Sequence, residues 1–118
     1  MNIAIIGSRD FKDYDLIVSE IEKLDLPTDD IKIVSGGARG ADKLGEKYAD
    51  NNNYEKIIFK PEWDRYGAGA GAIRNRQIIK ESDIVIAFWD RESKGTKNSI
   101  GIAKKLNKRL IIVEYKNK

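Results

Sequence analysis

Residues 31–42 read Ile31-Lys32-Ile33-Val34-Ser35-Gly36-Gly37-Ala38-Arg39-Gly40-Ala41-Asp42. A β-branched apolar run enters a cluster of glycines, and Ala41, Leu44 and Tyr48 then recur at helical spacing up to Asn51-Asn52-Asn53, a turn signal. This succession of strand, glycine-rich turn and helix repeats on both sides of the stretch. Upstream, the strand Ile3–Ile6 stops at Gly7, and Tyr14, Ile17, Val18, Ile21 and Leu24 mark a helix with Asp13 as N-cap and Pro27 as terminator. Downstream come a strand over Lys56–Phe59, a helix from Ala70 to Glu81 and a strand over Asp83–Phe88. A helix carrying Ile100, Ala103 and Leu106 and a strand over Leu110–Val113 complete the series. Five strands alternating with four helices predict a parallel sheet covered on both faces. Runs such as Ile84-Val85-Ile86-Ala87 are apolar on consecutive residues, as a strand buried on both faces requires. The expected fold is therefore α/β, a single Rossmann-like doubly wound domain over residues 1–118, with strand order 3-2-1-4-5.

Composition narrows the chemistry. The 118 residues include no cysteine and no histidine, which excludes disulfides, thiol nucleophiles, Cys/His zinc sites and imidazole bases. No basic-apolar leader and no long apolar run is visible, so the expected location is the cytoplasm, away from membranes. Charge is uneven. Residues 1–34 carry eight acids against four bases, whereas residues 91–118 carry nine bases against two acids. That basic end reads either as a nucleic-acid surface or as the solvated face of a lysine-rich helix.

In open parallel sheets ligands bind beyond the carboxyl ends of the strands. Six of the seven arginines fall at strand-to-helix junctions: Arg9, Arg39, Arg65 and Arg91 each follow a strand, and Arg74 and Arg76 open a helix. The guanidinium fork matches phosphate or carboxylate oxygens, so this edge reads as an anion pocket. Four junctions contribute. Gly7-Ser8-Arg9-Asp10 follows the first strand; its glycine allows close backbone approach, and Ser8 and Arg9 can donate to a phosphate or ribose. Ser35-Gly36-Gly37-Ala38-Arg39-Gly40-Ala41-Asp42 follows the second, with glycines that bring backbone N–H groups and a helix N-terminus up to an anion. Asp42 either bonds a ribose hydroxyl or caps the helix. The spacing is neither a Walker A loop nor the dinucleotide fingerprint. Beyond the third strand, Trp63 and Tyr66 either stack on a base or cover the core edge. The glycine-alanine run over 67–71 then leads to Arg74 and Asn75 at a helix start. After the fourth strand come Trp89, Asp90 and the anion-friendly pair Gly95-Thr96 before the last helix.

These pieces in this order resemble the SLOG superfamily and, within it, the small YspA-like (cpYpsA-related) proteins. The resemblance spans nearly the whole chain and rests on Gly7-Ser8-Arg9-Asp10-Phe11, the loop 35–42, Arg74-Asn75-Arg76 and Gly95-Thr96. It implies a Rossmann-like domain that binds a nucleotide or nucleotide-derived ligand, such as a nucleotide sugar or an ADP-ribose relative, as sensor, carrier or sequestering protein. Wider kin include the Lonely Guy phosphoribohydrolases and the single-strand-binding DNA-processing protein A. In the phosphoribohydrolases a catalytic glutamate stands two positions after Gly-Thr, with an arginine on the preceding helix. Arg74 matches that arginine, but Asn98 stands where the glutamate would be. An amide neither accepts a proton as a carboxylate does nor stabilises an oxocarbenium ion. Binding is thus the first expectation, N-glycosidase or phosphoribohydrolase activity the alternative, and single-stranded nucleic-acid binding a further one. The ligand-binding candidates are Gly7, Ser8, Arg9, Ser35, Gly36, Gly37, Arg39, Gly40, Asp42, Trp63, Arg74, Asn75, Asp90, Gly95 and Thr96, with Arg74 also the catalytic candidate. No metal site or cofactor is expected. Relatives pair through helices beside the ligand edge, which implies a homo-oligomer sharing arginines across its site.

Overall fold

Apolar alternation along the central strands divides the protein into two layers of core. In the computed structural model, which describes residues 1–116, β1 (Asn2–Gly7) points Ile3 and Ile5 to one face and Ala4 and Ile6 to the other. The first face packs against α1 (Tyr14–Glu22) and α2 (Ala41–Asn51), burying Ile17, Ile21, Tyr48 and Ala49 together with Ile33. The second packs against α4 (Ala70–Glu81) and α5 (Lys94–Lys105), burying Ile78, Ile79, Ile100 and Ala103 against Val34 and Val85. With β2 (Lys32–Ser35), β3 (Glu55–Ile58), β4 (Ile84–Trp89) and β5 (Arg109–Glu114), the sheet is parallel throughout and ordered β3-β2-β1-β4-β5. The expected fold and strand order are those observed. β1 and β4 lie between strands on both sides and are almost wholly buried; β3 and β5 form the edges and are largely exposed.

Element limits shift where local stereochemistry overrides pattern. Asp13 caps α1 as expected, its Oδ1 accepting from Leu16 N at 3.1 Å. The helix stops at Glu22 rather than Leu24, because Asp25 adopts φ 47° well before Pro27. Between β3 and α4 the chain adds two short elements that the pattern does not predict: Trp63–Tyr66 forms a one-turn helix, α3, and Gly67–Gly69 a 3-10 turn running straight into α4. Gly95 lies in the first turn of α5 rather than ahead of it. Strand order reverses between β1 and β4, so the connections that follow them leave toward opposite faces of the sheet and open a crevice at the switch point.

Candidate functional site

That crevice is a cavity of about 460 Å³, lined by the loops after β1 and β4, the loop before α2, and the starts of α4 and α5. It adjoins a second depression of about 750 Å³ that extends toward Lys60 and Trp63, and the two share Arg9, Ala38, Arg39, Arg74, Asn75 and Gly95.

The 35–40 loop is held from one side by the neighbouring Asp42 and from the other by Arg74, far away in sequence. Asp42 Oδ2 accepts from Gly36 N at 3.1 Å and from Ala38 N at 3.3 Å. From the other side Arg74 Nη1 donates to Gly36 O at 2.7 Å, while its Nε donates to Asn75 Oδ1 at 3.0 Å. A Cβ on Gly36 would stand 2.5 Å from Arg74 Nη1 and 2.8 Å from Asp42 Oδ2, so only glycine fits between the clamps. Gly40, at φ 81°, lets the chain cross under the loop after β1, where a Cβ would collide with Ser8 O and the backbone of Arg9. These contacts change two expectations. Asp42 caps the loop rather than its helix, whose N-cap Gly40 has no side-chain bond. And the amides of Gly36, Gly37 and Ala38 are not free for an anion, since Gly36 N and Ala38 N go to Asp42 and Gly37 N goes to Ser35 Oγ at 3.1 Å.

Ser35 is also reassigned. It is fully buried, donates to Glu46 Oε2 at 2.8 Å, and lines neither cavity. Gly40 lines neither as well, acting through the crossing it permits. Gly7, Ser8, Arg9, Arg39, Asp42, Arg74, Asn75, Asp90, Gly95 and Thr96 do line the first cavity, while Gly36, Gly37 and Trp63 line the second.

Of the arginines expected to converge, Arg9, Arg39 and Arg74 do so. Arg91, at φ 70°, turns away to pair with Glu114 at 3.2 Å, and Arg65 lies over the Tyr66 ring at 5.1 Å. Arg76 lines neither cavity. Arg9 and Arg39 form no ion pair among the described residues. The cavity's carboxylates, by contrast, hold donors of their own. Asp90 accepts from Ser93 N at 2.8 Å and Glu92 N at 2.9 Å, and the Ser93 amide foremost lowers its pKa. Asp10 Oδ1 accepts from the Tyr115 hydroxyl at 3.0 Å. Burial raises Asp42 to about 6 despite its amide donors and Arg74, and burial also lowers the pKa of Arg74.

Ser8 is 2% exposed and lines the cavity with its hydroxyl beside Asp90 and Tyr115. Across the cavity Ser93 caps α5, accepting from Thr96 N at 3.3 Å, and Thr96 and Ser99 line the wall one turn apart. Sequence reading passed over Ser93 and Ser99; the Ser-x-x-Thr capping spacing was the available signal for the first. It also passed over Lys60 and Lys94 in the second depression. Trp63 there is 55% exposed, with its ring edge 3.7 Å from where a Gly71 Cβ would lie, so it offers an open face and covers little core. Trp89, partly buried, is anchored by its Nε1 to Ser93 O at 3.1 Å. Asn98 is exposed and accepts from Asn75 Nδ2 at 3.4 Å. Among the described residues no cluster of three or more acidic side chains gathers to hold a metal, and no helix is long and apolar enough to cross a membrane.

A doubly wound parallel sheet with an arginine-lined crevice at its switch point defines the Rossmann-like α/β class. The sequence model of the YspA, cpYpsA-related SLOG family matches residues 1–66, and the chain belongs to that family. The Gene 61 protein of Mycobacterium phage D29 is 30% identical over 113 residues, covering 87% of this chain and 88% of its own. Among solved structures, DNA processing protein A from Helicobacter pylori, described for its single-stranded DNA binding mode, matches with TM-score 0.71 and 25% identity over 95% of this chain. The protein of the same name from Streptococcus pneumoniae matches with TM-score 0.76 and 20% identity over 94% of this chain. The match spans 64% and 49% of those two chains.

Proposed function

We propose that the protein is a cytoplasmic binding module for a nucleotide or nucleotide-derived ligand, seated at the carboxyl edge of the sheet with a phosphate among Ser8, Arg9 and Arg39. The observation that carries this reading is the convergence on one cavity of Arg9 and Arg39, which form no ion pair among the described residues. A phosphate supplies the charge-assisted, bidentate partner that these guanidinium forks lack. Arg74 and Asp42 act on the loop geometry and hold Arg39 at the cavity wall. The continuous volume toward Trp63 has room for a base or a second sugar beyond the phosphate. Mononucleotides, ADP-ribose-like compounds and nucleotide sugars are the classes to test.

Calorimetry against such a panel, with Arg39→Ala beside the parent, tests the reading. Loss of a charged hydrogen-bonded contact is expected to lower affinity by about 1.5–3 kcal/mol, roughly ten- to hundredfold. Stability should hardly change, since Arg39 is exposed and forms no ion pair among the described residues. Unchanged affinity in Arg39→Ala, or no ligand in the panel, would refute the assignment. Ligand recovered intact is the expected product analysis; release of free base would make the protein an N-glycosidase or phosphoribohydrolase despite Asn98. The 25% identity to the Helicobacter protein favours a second reading, single-stranded nucleic acid, for which the exposed Trp63 face is a stacking surface.

A further inference from the structure

The second depression does not end at α5. Lys94 and Asn98 line it and also line a further depression of about 470 Å³ along the helix, with Lys97, Gly101, Ile102 and Lys105. Lys94, Lys97, Gly101 and Lys105 are spaced three, four and four residues apart, so they form one stripe roughly 16 Å long. α5 contains no acidic residue, and none of its lysines forms an ion pair among the described residues. Gly101 sits mid-helix, exposed, and a Cβ there would meet nothing within 4 Å. Glycine is unfavourable inside a helix, and packing within this chain does not require it here. Its effect is to leave the stripe open between Lys97 and Lys105.

We propose that this stripe is the track of a single-stranded nucleic acid, whose backbone runs along α5 while one of its nucleotides occupies the arginine-lined cavity. The inference rests on the nucleotide-binding reading of that cavity and assigns its ligand to a polymer. Charge complementarity selects a polyanion, and continuity with the cavity selects one built of nucleotides. The strand must be single because a nucleotide held in a paired stack cannot enter the crevice.

The test uses a fluorescein-labelled oligothymidylate and free thymidine monophosphate against the parent, Lys97→Ala/Lys105→Ala and Gly101→Glu. Neither lysine lines the first two cavities, and Gly101→Glu meets no steric obstacle. Removing two phosphate contacts should reduce the slope of log K against log salt by about 1.4. Gly101→Glu should weaken the oligonucleotide at least tenfold, and both variants should bind the mononucleotide like the parent. Oligonucleotide affinity unchanged in both variants, or duplex bound as tightly as the single strand, overturns the track. Mononucleotide binding without oligonucleotide binding overturns the track and leaves the cavity reading standing. Lysine-dependent oligonucleotide binding that Arg39→Ala does not weaken upholds the α5 surface and refutes the nucleotide in the cavity.

Discussion

Asp42→Asn should make the protein more stable at neutral pH and leave it unchanged in acid. Asp42 is 6% exposed, and burial raises its pKa from the ordinary 3.8 to about 6, against the opposing pull of the Ala38 and Gly36 amides and of Arg74. The folded protein therefore holds this proton more tightly than the unfolded chain. Stability is highest below about pH 4 and falls as pH rises through 6, because the unfolded chain ionises first and the folded carboxyl must follow at a cost. A rise from 3.8 to about 6 corresponds to about 3 kcal/mol at neutral pH. Asparagine imitates the protonated acid, since its Oδ1 can still accept from Gly36 N and Ala38 N. Urea unfolding, followed by the fluorescence of Trp63 and Trp89, is to be run on both proteins at pH 4 and pH 7.5. The two should agree within about 1 kcal/mol at pH 4, with the variant ahead by about 2–3 kcal/mol at pH 7.5. A difference that stays flat across that range, or that favours the parent at pH 7.5, would refute the argument. Comparing the pair removes the contribution of every other titrating group they share.

Other substitutions probe the loop crossing and the aromatic face. Gly40→Ala should destabilise the fold by about 2 kcal/mol or more, since it combines φ 81° with a collision against Ser8 O, while Gly69→Ala, with φ −83° and open space, should be neutral or gain about 0.4–1 kcal/mol; thermal unfolding compares them. Trp63→Ala should change stability by less than about 1 kcal/mol and lower affinity for a base-bearing ligand by about 1–3 kcal/mol in the calorimetric panel; unchanged affinity would place the base elsewhere.

Legibility followed the range of the interaction. The core strands and α4 were readable because consecutive β-branched residues and helical periodicity are written within a few positions of one another. The one-turn helix Trp63–Tyr66 and the 3-10 turn Gly67–Gly69 were not, since neither is long enough to repeat a pattern and the glycines read as breakers. At the site, the right edge of the sheet and most of the lining residues could be named from junction composition. The roles within the list could not. Ser35 sits at a junction like Ser8, yet it is turned inward to Glu46 while Ser8 faces the cavity.

By itself the sequence determined the parallel sheet, its order of elements and the edge where ligands gather, because alternation of apolar runs with glycine-rich turns is a local property that leaves few topologies. Only the tertiary structure decided which charges are available there. Glu114 on β5 takes up Arg91, and three of the loop amides expected to hold an anion, those of Gly36, Gly37 and Ala38, are taken by Asp42 and Ser35. Arg74, thirty-eight residues away from Gly36, closes the clamp. Glu114 and Arg74 reach their partners because the sheet brings together strand ends and helix starts that lie far apart in the chain, and such a contact leaves no periodic trace in the residues on either side.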